Sequence, residues 1–267
     1  MNIHTECGVP YLTFKSIDKL DAFRLVVSTR HGGVSKDECS SMNLGTSTDD
    51  KWENVVQNYR IFCKATGFDI ERLVLAKQTH SSNVRLVKEE DAGKGVLRQR
   101  DYTDVDALIT NIANLPLVIH TADCVPVAFL DTKTKAIGNA HCGWRGTYGL
   151  LAEKTLLEMN MHFGTEPKDL AVAIGPCICM DCYEVSKELY EQFLSKFGYR
   201  DYIIKNKGKY YLNLPMINRQ ILIDAGVKEE NITVSDVCTC CNCDDMFSHR
   251  GLGPKRGILG TFLKICE

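Results

Sequence analysis

The sequence predicts a single mixed α/β (α+β) domain, with mixed β-sheets layered with helices. Short runs rich in Val, Ile and Leu recur along the chain, and amphipathic helical stretches are interspersed among them. No repeat, low-complexity segment or composition break divides residues 1–267. Several strand candidates follow one another with no helix between, which argues against a regular doubly wound fold. At 267 residues the chain is long enough to bury a substantial core.

The first strand spans 25–29 and runs into Arg30-His31-Gly32-Gly33-Val34-Ser35, where paired glycines permit a tight path. After a loop through Asn43-Leu44-Gly45, Asp50 and Glu53 have capping-box spacing. Trp52, Val55, Val56, Tyr59 and Phe62 then recur at helical spacing until Gly67 ends the element. Strands are expected over 73–76, 84–87, 107–110, 115–119, 125–130 and 136–140, followed by a helix over 150–163. Beyond these come a strand over 170–174, helices over 186–197 and 215–225, and strands over 232–237 and 258–263.

Charge narrows the partners. Thirty-two Lys and Arg against 34 Asp and Glu leave a net charge of -2, without runs of one sign. There is no electrostatic footprint for nucleic acid or an anionic membrane, so a small ligand is expected. Residues 1–7 lack the basic start and apolar stretch of a secretory signal. The apolar region 115–130 is broken by His120, Asp123 and two prolines, and it is too short to span a bilayer. A soluble, cytoplasmic protein is expected, in which the 13 cysteines are reduced thiols or ligands and not a disulfide framework.

Three segments carry the chemistry: Gln78-Thr79-His80, Thr121-Ala122-Asp123-Cys124 and His141-Cys142-Gly143-Trp144-Arg145-Gly146. Each places a metal-ligating side chain, His80, Cys124 or His141, at a strand end or turn, where rigid elements can aim it into a common cleft. Two His and one Cys leave a tetrahedral ion one open position, as catalysis requires. Taken singly, His80 reads as a loop histidine and Cys124 as a small core residue, while Asp123 beside Cys124 needs a partner. Jointly they read as one site.

Two cysteine clusters, 177–182 and 238–243, compete for attention. Read as irregular spacings, they are expected to be reduced thiols near a pocket and not a second metal site. Residues 251–257 are Gly-rich and basic, but without a Gly-Lys-Ser/Thr ending they are a connecting loop. Neither a dinucleotide fingerprint nor a nucleophile elbow occurs.

The ordered motifs resemble the YfiH-type family, formerly labelled multicopper polyphenol oxidases or laccase-domain proteins and regarded as purine nucleoside phosphorylases with adenosine deaminase activity. The resemblance runs from 28–35 and 43–45 through 78–80, 106–110, 121–127 and 141–146 to 175–176, 182–185, 238–239 and 247–250. It implies a YfiH-like fold and a zinc-binding catalytic set of His80, Cys124 and His141, with copper as the other metal. Arg30, Asn43 and Arg145 match motif positions that would face substrate. Cys142 replaces the usual Ala, and Gly251 follows Arg250 where a second Arg is common.

The activity implied is phosphorolysis of adenosine, inosine and S-methyl-5′-thioadenosine to free base and ribose 1-phosphate, with zinc-dependent adenosine deamination, by a monomer or homodimer. Arg30 or Arg145 would hold phosphate and Trp144 would stack the base. Three rivals remain open: a copper-dependent polyphenol oxidase, a Cys-His hydrolase editing peptidoglycan precursors, and a non-enzymatic zinc-stabilised module built on 238–243. The first is poorly served by seven histidines in all.

Overall fold

The computed structural model describes residues 1–266 and bears out the mixed α/β expectation. Among the described residues, strands and helices are numbered in chain order. One six-stranded sheet has the order β1 (Asn2–Glu6), β2 (Val9–Thr13), β3 (Phe23–Ser28), β15 (Leu259–Ile265), β7 (Leu117–Thr121), β4 (Val74–Leu75). A second has the order β14 (Ile232–Val234), β10 (Leu170–Ile174), β8 (Val125–Asp131), β9 (Ile137–Cys142), β6 (Ala107–Thr110), β5 (Val84–Leu86). Antiparallel pairs dominate both, with parallel pairing of β4 to β7, β5 to β6 and β10 to β14. A small antiparallel sheet joins β11 (Glu184–Val185), β13 (Lys209–Leu212) and β12 (Ile203–Asn206).

The two large sheets pack face to face. Leu117 and Ile119 of β7 and Leu263 of β15 meet Leu108 of β6 and Ala128 and Leu130 of β8 in one buried cluster. The outer face of the first sheet, through Val118 and Phe262, lies against α1 (Trp52–Thr66) by way of Tyr59 and Phe62. The outer face of the second, through Val125, Val127 and Phe129, is covered by α3 (Leu151–Phe163), α4 (Lys187–Phe197) and α5 (Leu214–Asp224). Both faces of the central strands are therefore buried, which is why 125–130 reads as an unbroken apolar run and not an alternating one. Each large side chain so buried contributes about 1.5–3 kcal/mol of transfer free energy.

Helix α1 ends as expected, with Gly67 in the left-handed region donating its N–H to the Cys63 carbonyl. Its start differs. Lys51 is the N-cap, and the Asp50 carboxylate instead takes bonds from Ser35, Asn43, Lys51 and Asn54, so the expected capping box gives way to a loop-binding carboxylate. Short α2 (Trp144–Tyr148) occupies a segment expected to be a turn, and α6 (His249–Leu252) runs into the start of the expected loop 251–257.

Two connections that cross from one large sheet to the other position the site. The turn 122–124 takes the chain from β7 to β8, and the longer loop containing His80 takes it from β4 to β5. His141 lies on β9, paired with Pro126 of β8, and so next to where the first crossing lands.

Candidate metal centre and its cavity

The ligating atoms of His80, Cys124 and His141 all lie within 4.8 Å of one another. His80 Nε2 is 3.9 Å from Cys124 Sγ, and the two imidazole rings are edge to face with centroids 4.9 Å apart. His141 is buried, Cys124 partly exposed and His80 exposed, so the set has one closed and one open side. The three residues expected from sequence are thus brought together, and their donor set fits one tetrahedral ion with a vacant position.

Backbone strain marks both crossings. His80 has φ 64° and Asp123 φ 88°, left-handed values that non-glycine residues seldom adopt. Each is held by hydrogen bonds. The Asp106 carboxylate accepts from the backbone N–H groups of Thr79, His80 and Ser81 and from the Ser81 hydroxyl. The Asp123 carboxylate accepts from the Thr239 hydroxyl at 2.7 Å, the Ser248 hydroxyl at 2.6 Å and the Arg250 N–H at 2.6 Å. These are the partners that a buried carboxylate beside Cys124 requires.

Asp106 also faces His141 Nδ1 at 2.8 Å, which leaves Nε2 for an ion. Burial pushes the Asp106 carboxyl up, but His141 and the backbone N–H groups outweigh it and bring its pKa down to about 2. Burial likewise disfavours both charged forms of Cys124 and His141. Their mutual attraction, with Asp106 bonded to His141 and His80 beside Cys124, overcomes it, lowering the thiol and raising the imidazole, so a thiolate faces an imidazolium until a cation displaces the proton.

Gly143 closes the far side. A Cβ there would stand 3.0 Å from both Cys124 Sγ and His80 Cδ2, so a side chain at this position would press on two candidate ligands at once. Its neighbour Cys142 is fully buried in the core behind β9, and burial drives its thiol pKa well up, away from any ligand role.

A cavity of about 1090 Å³ opens in front of the set. Its wall includes Trp144 and Arg145, whose guanidinium lies 4.2 Å above the Trp144 ring. Arg100, His120, Tyr183, His249, Arg250 and Arg256 line it as well. Arg256 spends Nη1 on the Pro254 carbonyl, and its buried Nε has no partner. His120 is held neutral, its pKa lowered to about 3 by burial and by Arg100. Its backbone N–H and C=O are both bonded by Gln78, and Tyr59 Oη lies 2.6 Å from its Nε2.

Of the three positions expected to face substrate, Arg145 lines the cavity, whereas Arg30 and Asn43 do not. The Arg30 guanidinium is committed to the Ser40 and Cys243 carbonyls and lies over the Phe247 ring. Asn43 is fully buried, with its amide bonded to Thr48, Asp50, Gly45 and Ile258. Sequence reasoning missed Asp106 as an anchor and Arg256 in the cavity. Asp106 opens the quoted 106–110 motif, and Arg256 sits in the basic run set aside as a connecting loop.

Comparison with known proteins places this architecture. Residues 24–266 match the family described as multi-copper polyphenol oxidoreductase laccase. The chain is 36% identical over 251 residues to a purine nucleoside phosphorylase of Bacteroides thetaiotaomicron, covering 92% of this chain and 93% of that protein. It is 33% identical to adenosine deaminase RL5 of an unknown prokaryotic organism, over 91% and 93% of the two chains. The crystal structure of YlmD from Geobacillus stearothermophilus superimposes with a TM-score of 0.87 at 31% identity, covering 98% and 96%. That of YfiH from Bacillus licheniformis gives 0.90 at 29% identity, covering 98% of each chain. The chain therefore belongs to the multi-copper polyphenol oxidoreductase laccase family, the YfiH-type family that its motifs resemble.

Proposed function

We propose that the protein is a purine nucleoside phosphorylase that splits adenosine, inosine and S-methyl-5′-thioadenosine with phosphate, and that it also deaminates adenosine. The observation that carries this reading is the juxtaposition, in one cavity, of an open His80, Cys124, His141 set with cationic side chains and an aromatic wall. Relatives named purine nucleoside phosphorylase and adenosine deaminase support it.

His80, Cys124 and His141 would hold zinc, which would supply Lewis-acid polarisation and lower the pKa of a water towards about 7. Asp106 fixes the His141 imidazole directly and the His80 turn through its backbone N–H. Phosphorolysis forms a bond from a phosphate oxygen to C1′ as the bond from C1′ to the purine nitrogen breaks, and the electron pair leaves with the base. Arg256, with a buried N–H lacking a protein partner, and Arg145 bind the phosphate and orient it. Trp144 and Tyr183 stack the purine, a contact available to any base. Neutral His120 offers the substrate a hydrogen bond without adding charge.

Copper-dependent phenol oxidation is a poorer match. Multi-copper chemistry needs several histidine-rich sites, and among the described residues the histidine-containing ligand group is a single one. Hydrolysis through Cys124 as nucleophile would use the same thiolate and imidazolium without metal, and active metal-free protein would favour it.

The test is adenosine incubated with and without phosphate. Adenine and ribose 1-phosphate formed only with phosphate, and ammonia formed without it, are the expected products. An absence of product under both conditions overturns the reading.

A further inference from the structure

The structure joins the two cysteine clusters that their sequence separation kept apart. Cys179, Cys182, Cys238 and Cys241 bring four sulfurs within 4.8 Å of one another, with Cys182 Sγ 3.4 Å and Cys179 Sγ 4.0 Å from Cys241 Sγ. Each pair is a Cys-x-x-Cys, hidden in the sequence by the extra cysteines Cys177, Cys240 and Cys243. The segments meet because Cys177 and Cys238 form a parallel bridge and the Thr239 N–H bonds the Cys177 carbonyl. The backbone N–H groups of Cys179 and Cys241 point at Cys238 Sγ from 3.2 and 3.4 Å, the arrangement that favours a thiolate sulfur.

We infer that these four cysteines bind a second, structural zinc ion. Four thiolates at about 2.3 Å from a tetrahedral ion stand about 3.8 Å apart, which the observed sulfur separations bracket. A four-iron cluster binds each thiolate to a different iron and a two-iron cluster divides them two and two between its irons, so either needs a wider cage than a single ion. The four sulfurs leave no ligand position for water, so this ion braces and does not react.

What it braces is the wall of the catalytic cavity. The pairs tie the 3-10 turn Met180–Cys182 to the loop 238–243. That loop presents the Thr239 hydroxyl to Asp123, beside Cys124, and Arg250 returns to the Cys182 and Glu184 carbonyls. One clamp thus holds Asp123, its hydroxyl partner and the cavity's Arg250 in register.

The deciding experiment is elemental analysis of the full-length protein, kept reduced and purified from zinc-supplemented cells, beside Cys124→Ala and the double variant Cys179→Ser with Cys182→Ser. The inference expects two zinc ions per chain in the parent and one in Cys124→Ala. The double variant loses the ion that Cys124→Ala retains. Zinc-edge X-ray absorption of Cys124→Ala, which does not depend on the double variant folding, should show four sulfurs at about 2.3 Å. A metal-free Cys124→Ala, a nitrogen or oxygen shell, bound iron, or a disulfide among the four would overturn it. A parent holding one ion with an all-sulfur shell would sustain this site while removing zinc from the catalytic set.

Discussion

The carboxylate of Asp106 and the imidazole of His141 meet at 2.8 Å, and the same carboxylate takes the backbone N–H of His80. One fully buried acid therefore orients both histidines of the candidate metal centre, one through its ring and the other through its turn. It also returns the strained backbone of His80 to a defined place, since φ 64° is maintained only where the surroundings over-determine it.

Asp106→Asn is expected to weaken zinc affinity by about 10–100-fold, the usual cost of losing a carboxylate behind a ligating histidine. Competition against a chromophoric chelator measures it. The effect should appear in affinity and not in the number of sites, because all three ligands remain. Unchanged affinity would show that the carboxylate serves only the backbone turn.

The same residue should leave a mark on acid stability. Its folded pKa of about 2 lies below the ordinary 3.8, so its contribution is fully present above the ordinary value and is lost as pH falls towards 2. The shift corresponds to about 2 kcal/mol. Urea unfolding of metal-stripped protein should show the parent exceeding Asp106→Asn by roughly that much at pH 5, with the gap closing by pH 2. A gap independent of pH would contradict the assignment.

Much of the centre is legible in the sequence because it sits where local rules are strong. His80, Cys124 and His141 follow or interrupt apolar strands, and the ends of buried strands are where polar side chains can converge. The supporting residues are less legible because their roles depend on distant partners: Asp106 acts on residues 25 to 35 positions away, and Asp123 on Thr239 and Ser248. The same limit hid the four-cysteine group, whose halves lie 56 residues or more apart. Among the strands, 107–110 and 125–130 are plain because both faces are apolar. Strand β1 is polar, β12 and β13 mix polar with apolar residues, and their hairpins turn at Cys7-Gly8 and Lys207-Gly208, where both residues have positive φ. Such turns favour Asn-Gly or Asp-Gly, and with another residue before the glycine their signal is weak.

Gly143→Ala probes how tightly the centre is packed. The added Cβ would lie 3.0 Å from Cys124 Sγ and His80 Cδ2, closer than ordinary contact, and both residues belong to the candidate metal centre. Zinc affinity should fall by about tenfold, comparable to the loss of a supporting contact. Thermal stability of the metal-stripped protein should change little, since the exposed His80 ring can move aside. A large destabilisation with intact affinity would place the tight contact in the fold and not in the centre.

Arginine substitutions separate the cavity from its frame. Arg256 carries a buried N–H without a protein partner, and a charged hydrogen bond to phosphate is worth about 1.5–3 kcal/mol, so Arg256→Ala should raise the KM for phosphate by about 10–100-fold. Arg30 lies outside the cavity and spends three N–H groups on the Ser40 and Cys243 carbonyls, so Arg30→Ala should leave that KM unchanged and lower unfolding stability by about 1–3 kcal/mol. Initial rates across a phosphate series and urea unfolding of both variants make the comparison. If Arg30→Ala raised KM while stability held, the residue matched to the family motif would be a substrate contact after all, and the guanidinium would have to swing towards the cavity when phosphate binds.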